Sequence, residues 1–509
     1  MAYGMIQLVP ILIVAAMFAL FAFSGLRNRS SQTSSYGFNG SYTGRIGIGA
    51  GIASNWMSAA SFLGLAGVFY LKGYFAMAYV VGWTGGYVLL LVLMATQIRR
   101  FGKFTTPDFV GFRYESDAAR TLAALISIII SVIYCVAQFR GIALLVSWLF
   151  GIGYIPAVVV GTLLFVSHVT VSGAVGITRN QKLHYFVLII TFILPLMLLT
   201  RKLGYFWILP QFGYGAAIGE LQQQFDFNWS EPFGSTTLYE WLALCFTLMF
   251  GTAGLPHVLS RFYMVPGIRD ARWGVVWGLF FIALIYWSAP AYGVLARLFE
   301  ARNGLTLNAT GADAADMIVL SAAGLGGLPL WAVGVLAAGG LNAAFSASAG
   351  LLMTGSASFS YDMYPRLLRP GASERDKVFA AKGFFLVLAA IVMVLTFQPW
   401  GMIAEIAAFA FALAGNTIFP AFLLGIWWPR ANAVGVISGM LAGLFISFAP
   451  LFIGKSLPVI AQLFPLTSSA FIGAPLVIIV MVCASLLTAP PSAAIRLFIS
   501  REVHDCPEN

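Results

Sequence analysis

Polar groups inside long apolar segments are the residues of this chain that could do chemistry. The stretch from Gly47 to Gly73 is long enough to cross a bilayer, yet it is rich in Gly, Ala and Ser and carries Asn55 near its middle. A span facing lipid would consist of Leu, Ile, Val and Phe. Small residues let helices pack closely, and backbone leaves the helix at membrane depth only where it lines a cavity. The stretch therefore predicts an interrupted helix inside a bundle, with backbone carbonyls and amides available to a small polar ligand.

A second stretch has the same character. Residues 250–257 read FGTAGLPH, and the Gly and Pro residues disfavour a regular helix, with Pro256 also lacking a backbone donor. Interrupted segments at corresponding positions of inverted repeats indicate a transport site near the middle of the membrane. One kinked helix is also explained by packing, whereas a matched pair favours a site.

Arg140 lies within an apolar segment. A charge at membrane depth is costly unless it finds water, a partner or a ligand, and the guanidinium fork suits a carboxylate. One hypothesis is that Arg140 receives the carboxylate of a short organic acid, helped by half-helix amides near Ser58 and 251–254. The alternative is that it reaches the outer interface or pairs with Glu405 or Glu240.

The composition requires a polytopic membrane protein. Of the 509 residues 60% are hydrophobic and 9% charged, which excludes a soluble protein of this size. HExxH, nucleophile-elbow and paired His/Asp patterns are missing from the sequence, which argues against an enzyme. The cysteines show no CxxC or metal-type spacing, so neither a disulfide framework nor a zinc site is indicated; they are Cys135, Cys245, Cys483 and Cys506.

About thirteen apolar segments have spanning length. They lie near 5–25, 46–71, 74–97, 120–149, 155–174, 183–200, 237–262, 273–296, 329–360, 379–397, 400–427, 433–453 and 467–488. No basic residue precedes the first, whereas Arg27 and Arg29 follow it, which favours an uncleaved helix with its N-terminus outside. With that orientation, 21 of the 28 Lys and Arg residues lie in cytoplasmic connections and 6 outside, with Arg140 within a helix. This bias explains the net charge of +10 without a nucleic-acid partner.

The segments divide into two groups of five between peripheral helices. We predict a peripheral first helix in 1–30, five-helix repeats at 46–200 and 237–427, two peripheral helices in 433–488 and a short cytoplasmic tail at 489–509. An odd-numbered repeat inverts the second group relative to the first. Two longer outer connections follow, 201–236 with a predicted short lid helix and 298–328 with Asp313 and Asp316.

Four strings carry a resemblance to a known family. They are Trp56 to Gly64 (WMSAASFLG), Tyr134 to Gln138 (YCVAQ), Phe250 to His257 and Tyr361 to Tyr364 (YDMY). The chain resembles the solute:sodium symporter family over nearly its whole length, and within it the branch of cation/acetate symporters. The resemblance implies a LeuT-type core of inverted five-helix repeats with broken first and sixth core helices, and ion-driven uptake of a small solute by alternating access.

The resemblance also implies a coupling-ion site between the first break and the eighth core helix. Its matching positions are the carbonyls of Ser54, Met57 and Ala343 and the hydroxyl of Ser346, oxygen ligands that suit a hard cation. Relatives usually have a second hydroxyl where this chain has Ala347, and often Asp where it has Asn55. These departures leave Na⁺ and H⁺ both open as the coupling ion, with weak coupling as a further alternative.

The candidate substrate-binding residues surround the two predicted breaks and the third core helix. They are Ser58, Ser61, Gln138, Arg140, Gly251, Thr252 and Asn416. Gln138 has a second explanation, as a tie between helices. His168 and His257 are either proton carriers or core histidines.

The sequence thus predicts a secondary transporter of a short monocarboxylate such as acetate, not an enzyme, in a bacterial cytoplasmic membrane. No cofactor is expected beyond the coupling ion. The expected partners are the organic acid and membrane lipid, with a small membrane subunit left open. A transporter-like sensor acting with a separate signalling protein is the alternative of another class.

Overall fold

The computed structural model describes residues 7–27, 45–102, 105–225, 229, 231, 233, 236–263, 268–304, 311–398, 400–454 and 456–504. Within them the side chains of 173–179, 262, 263, 268, 271, 502 and 504 are not described. Parts of the predicted first-helix region 1–30 (1–6 and 28–30) and of the tail (505–509) lie outside these residues. The described chain is all-helical, as predicted.

The first half of the chain forms nine α-helices among the described residues. They are α1 (Leu8–Arg27), α2 (Arg45–Trp56), α3 (Leu65–Lys72), α4 (Met77–Leu93), α5 (Ala95–Phe101), α6 (Thr106–Arg113), α7 (Asp117–Phe150), α8 (Tyr154–Lys202) and α9 (Pro210–Gln224). A π-helical turn at Ala60–Gly64 and a 3₁₀ turn at Gly73–Ala76 join them.

The second half forms twelve more within the ranges given above. They are α10 (Leu238–Gly254), α11 (Pro256–Tyr263), α12 (Ile268–Asn303), α13 (Ala312–Asp316), α14 (Ile318–Leu325), α15 (Leu330–Ala357), α16 (Glu374–Thr396), α17 (Ile403–Trp427), α18 (Ala433–Phe452), α19 (Pro458–Leu463), α20 (Ala470–Leu486) and α21 (Ala493–Phe498). π-Helical turns continue α15 at Ser358–Leu368 and α21 at Ile499–His504.

Both predicted interruptions are present. The first core helix stops at Trp56, Met57 and Ser58 are non-helical, and the π-turn and α3 continue it. The sixth core helix stops at Gly254, where Leu255 is extended with φ −69° and ψ 120°. Pro256 then starts α11, a position where its missing N–H is no loss.

Helix α8 contains two of the predicted spans. Its helical assignment is continuous over 49 residues, but a straight helix would place residues 168 and 184 about 24 Å apart. The rings of His168 and His184 are instead 6.1 Å apart. The chain therefore reverses direction within α8, which gives two antiparallel limbs where the sequence predicts two spans.

Ten helices of the described chain are long and apolar enough to cross a membrane, and α10 and α20 are shorter apolar helices. The count of thirteen spans stays a prediction. Helix α17 is almost wholly buried and packs closely against α10 at two glycines. A Cβ at Gly251 or Gly254 would collide with the carbonyl of Phe411 or Ala414 respectively, so these glycines set the close approach.

Candidate functional site

The first break is held by α7. The backbone N–H of Ala59 donates to Oε1 of Gln138 at 2.8 Å, and the Tyr134 hydroxyl donates to Oγ of Ser58 at 3.3 Å. Tyr134 and Gln138 are four residues apart and share one face of α7. Gly141 lets that face approach, since a Cβ there would lie 2.6 Å from the Ala59 Cβ. Gln138 thus ties helices together, one of its two predicted roles.

An aromatic cluster lies beside this break. We define it as Trp56, Trp83, Tyr87, Tyr134, Tyr286 and Phe411, all buried. Trp56 donates to the Tyr286 hydroxyl at 2.7 Å, and that hydroxyl is 3.1 Å from Oγ of Ser61.

The other members of the cluster pack against these residues and against one another. Trp83 stacks on Tyr286 with centroids 5.6 Å apart, and Phe411 lies 5.6 Å from Trp56 and 5.5 Å from Tyr134. His257 follows the second break, and its ring centroid lies 5.7 Å from that of Tyr134. Both breaks therefore border one buried, largely aromatic site.

The residues implied for the ion meet at the first break. Oγ of Ser346 donates to the carbonyl of Ser54 at 3.1 Å, and the two hydroxyl oxygens are 3.2 Å apart. Ala343 precedes Ser346 by three residues, on the same face of α15, and Met57 lies in the unwound segment. All four residues are buried. This arrangement offers carbonyl and hydroxyl oxygens, the ligands of hard cations.

Arg140 forms an ion-pair cluster that we call the outer latch, with Asp313 and Asp316. Its Nη2 lies 2.5 Å from Oδ1 of Asp313 and its Nε 3.1 Å from Oδ2 of Asp316. The Asp316 carboxylate also accepts the backbone N–H of Ile403 at 3.1 and 3.2 Å. Burial raises the pKa of Asp316 to about 7, against the opposing effect of Arg140.

The latch corrects the sequence expectations for Arg140. It pairs with an acid, as one alternative held, but the acids come from α13 and not from Glu405 or Glu240. Oε1 of Glu405 lies 3.4 Å from Nζ of Lys72, and Glu240 caps the start of α10. The guanidinium is 1% exposed, so it does not reach the interface either.

A second cluster, the inner bridge, lies next to the first break, one helical turn along α15 from Ser346, and consists of Asn55, Arg261 and Gln181. Oδ1 of Asn55 accepts from Nη2 of Arg261 at 2.8 Å and from Nε2 of Gln181 at 3.4 Å. Helix α12 runs from next to α11 towards α13, and its 36 residues span about 54 Å. The α13 element of the latch lies on α3, which follows the first break, whereas Asn55 lies on α2, which precedes it, so the latch and the bridge lie on either side of the break.

Three predicted substrate-binding residues face elsewhere. Gly251 packs on the backbone of α17, and the Thr252 hydroxyl donates to its own helix at the carbonyl of Leu248. Nδ2 of Asn416 donates to Ser447 at 3.0 Å and Ser469 at 3.1 Å, towards α18 and the start of α20. The structure groups Ser58, Ser61 and Gln138 and does not bring these three residues to them. His168 lies apart, packed on Phe18 and Phe345.

Comparison with known proteins decides the family. The profile of the sodium:solute symporter family matches residues 36–443. The chain belongs to the sodium:solute symporter family. Two similar proteins are an uncharacterized symporter of Cupriavidus necator, 28% identical over 84% of this chain and 82% of that protein, and the uncharacterized symporter YwcA of Bacillus subtilis, 28% identical over 85% of this chain and 83% of that protein.

A solved symporter shares the fold. The substrate-bound, outward-open structure of a Na⁺-coupled sialic acid symporter superposes with a TM-score of 0.77 at 15% identity, over 96% of this chain and all of that one. The predicted all-α, LeuT-type architecture is confirmed. The chain is a multi-pass, sodium-coupled symporter and not an enzyme. The acetate branch stays a prediction.

Sequence reasoning missed the aromatic cluster and the partners of the symporter's buried arginine. Aromatic residues make up 15% of the chain, so no spacing separates Trp83 or Tyr286 from aromatic residues that merely pack. For Asp316, one signal was available, because it is an acidic residue in an Ala-rich outer connection. If such a residue is buried, it needs a buried cation as its partner.

Proposed function

We propose that this symporter takes up a short monocarboxylate such as acetate together with Na⁺, by alternating access. The observation that carries the proposal is the enclosed site between the two broken helices, with the Ser54–Ser346 oxygens beside it. A small cargo fits this setting, because its polar group meets unwound backbone and its apolar part meets aromatic rings.

In this proposal Na⁺ lies among the oxygens of Ser54, Met57, Ala343 and Ser346. The ion and the substrate then share the unwound segment, since Met57 directly precedes Ser58. Binding of one would order backbone that the other also contacts, which couples the two events. Ala347 supplies no hydroxyl, so we expect Ser346→Ala to abolish Na⁺ dependence, because it removes the side-chain oxygen that remains.

The substrate lies against Ser58, Ser61 and Gln138. The latch and the bridge act as outer and inner closures around it. All three residues are at most 2% exposed, and so is the aromatic cluster apart from Tyr134, at 3%, which is the arrangement expected of a state closed to both sides.

We also propose that the protein lies in a bacterial cytoplasmic membrane with its N-terminus outside and its C-terminus in the cytoplasm. The distribution of Lys and Arg supports this orientation. Membrane lipid surrounds the exposed apolar faces of α1, α16 and α18. A small membrane subunit stays a prediction.

Proteoliposome uptake tests the proposal. Radiolabelled acetate, propionate and pyruvate are each offered with an inward Na⁺ gradient, with an inward proton gradient at equal Na⁺, and with neither. We expect Na⁺-driven accumulation of at least one acid, lost in Ser346→Ala. Binding without flux would favour the sensor, and accumulation driven by protons alone would contradict the Na⁺ site.

A further inference from the structure

Three buried nitrogens around the aromatic cluster have no hydrogen-bond partner among the described residues. They are Nε2 of Gln138, Nε1 of Trp83 and Nδ1 of His257. The side chains are 0%, 1% and 3% exposed respectively. Most buried polar groups are hydrogen-bonded, so such atoms need a water or a ligand.

Each nitrogen belongs to a side chain that borders the enclosed site. The other end of the Gln138 amide is fixed by Ala59 at the first break. Trp83 stacks on Tyr286 and lies 5.9 Å from Phe411. His257 follows the second break and lies beside Tyr134. The three therefore come from α7, α4 and α11, on different sides of one cluster.

The chemistry of these atoms limits what would satisfy them. The amide nitrogen of Gln and the indole nitrogen of Trp donate and cannot accept, whereas a His nitrogen does either according to its tautomer. The missing partner must therefore supply acceptors. A carboxylate offers two oxygens with about four acceptor positions.

The arginines nearest to the site are already engaged. The charge of Arg140 is met in the latch by Asp313 and Asp316, although its Nη1 is buried without a described partner, and Arg261 donates to Asn55 in the bridge. We infer that the substrate carboxylate is bound by neutral N–H donors, Gln138 and Trp83 with His257 as a third, and not by Arg140. This inference rests on the proposed function and adds the residues that recognise the anion.

A neutral donor site suits a carrier. Binding must be strong enough to load and weak enough to release, and a buried arginine–carboxylate pair is strong and specific. In the neutral site the charge of the anion is balanced by the Na⁺ that enters with it.

Two substitutions test the donors one at a time. Gln138→Glu keeps an acceptor for the Ala59 amide and replaces the donating nitrogen with an oxygen that repels a carboxylate. Trp83→Phe keeps an aromatic ring and removes the N–H. Trp229→Phe is the matched control, because Nε1 of Trp229 is also buried without a described partner but its ring stacks on Phe69, outside the cluster.

The experiment measures the affinity of the purified full-length protein for acetate and propionate in saturating Na⁺, with acetamide and propionamide as competitors. Thermal stability and the Na⁺-induced stability shift are followed in parallel. We expect Trp83→Phe to weaken carboxylate binding about tenfold or more, Gln138→Glu to weaken it further, and Trp229→Phe to leave it unchanged. The amides should compete poorly.

Wild-type affinity in both donor variants, or equal competition by the amides, would overturn the inference and show that the nitrogens are satisfied by water. A variant that shows the normal Na⁺-induced increase in thermal stability is folded, so its loss of affinity reports on the carboxylate-binding site. If the wild type binds and transports no monocarboxylate, the proposed function fails. If it does and the donor variants bind normally, only this inference fails.

Discussion

The two closures of the symporter differ in the groups that face their arginine. In the outer latch Arg140 faces two carboxylates, one of which is wholly buried and also accepts a backbone N–H. In the inner bridge Arg261 donates to the neutral amide oxygen of Asn55. Attraction between opposite charges in a low-dielectric interior exceeds that between a charge and an amide. The outer end therefore depends on paired charges, and it is the end that responds to pH.

The packing of α13 adds to this difference between the two closures. A Cβ at Gly67 would collide with the carbonyl of Ala315, so α13 lies directly on α3. The same element reaches α7 through Arg140 and the start of α17 through Ile403. Opening the outer end must lift α13 from three core helices at once, whereas the bridge links α2 to α11 and α8 through the side chain of Asn55.

Arg140→Met breaks the comparison most strongly. It leaves two carboxylates together with no cation between them, which costs about 3–5 kcal/mol. We expect turnover to fall more than about 100-fold while the affinity for substrate and Na⁺ is retained, measured by uptake and by equilibrium binding. Arg140→Lys keeps the charge without the fork and should lose less. Lost affinity with normal turnover would return Arg140 to the substrate site.

Asn55→Asp makes the bridge resemble the latch. A carboxylate opposite Arg261 replaces a neutral acceptor and should strengthen the inner closure by about 1–2 kcal/mol. We expect roughly tenfold slower release into the vesicle with binding from outside unchanged, measured by counterflow and by equilibrium binding. Asn55→Ser, which supplies a neutral oxygen on a shorter side chain, is the control. Faster release by the Asp variant would refute the proposed role of the bridge in inner closure.

External pH acts on the latch through Asp316. Its pKa is about 7 with α13 seated, and near the ordinary value of about 4 once exposed. The seated state therefore binds the extra proton, so outer closure is favoured below about pH 4 and weakens as pH rises through about 7. We expect the rate of substrate entry to fall as external pH drops from about 8 to about 5, and Asp316→Asn to remove this dependence. An unchanged pH profile in that variant would place the titrating group elsewhere.

Asp313→Asn should have the smallest effect. Its carboxylate is 59% exposed, and exposed ion pairs contribute less than about 1 kcal/mol. Turnover should change no more than severalfold, measured beside Arg140→Met. An equally large loss in both variants would show that Asp313, and not Asp316, holds the latch.

The sequence predicted what is encoded in local chemistry. Gly and Pro residues marked the second break because they disfavour helix wherever they lie, the small residues of 47–73 marked the first, and the resemblance paired Ser54 with Ser346. The partners of Arg140 depend on where α13 lies on the bundle, which no spacing along the chain reveals. Asn416 is on a central helix, but which face it occupies depends on how α18 and α20 pack. The three partnerless nitrogens emerge only when their surroundings are known.

Alternating exposure of the enclosed site to the two sides of the membrane is measured by thiol labelling. The substitution Ser61→Cys is made in a chain whose native cysteines are replaced, and an impermeant thiol reagent is applied from outside or inside the vesicle. We expect labelling from outside in Na⁺, protection by added acetate, and labelling from inside when Na⁺ is removed. An introduced thiol that is unreactive from both sides in every condition, or equally reactive with and without Na⁺ and acetate, would contradict transport through this site.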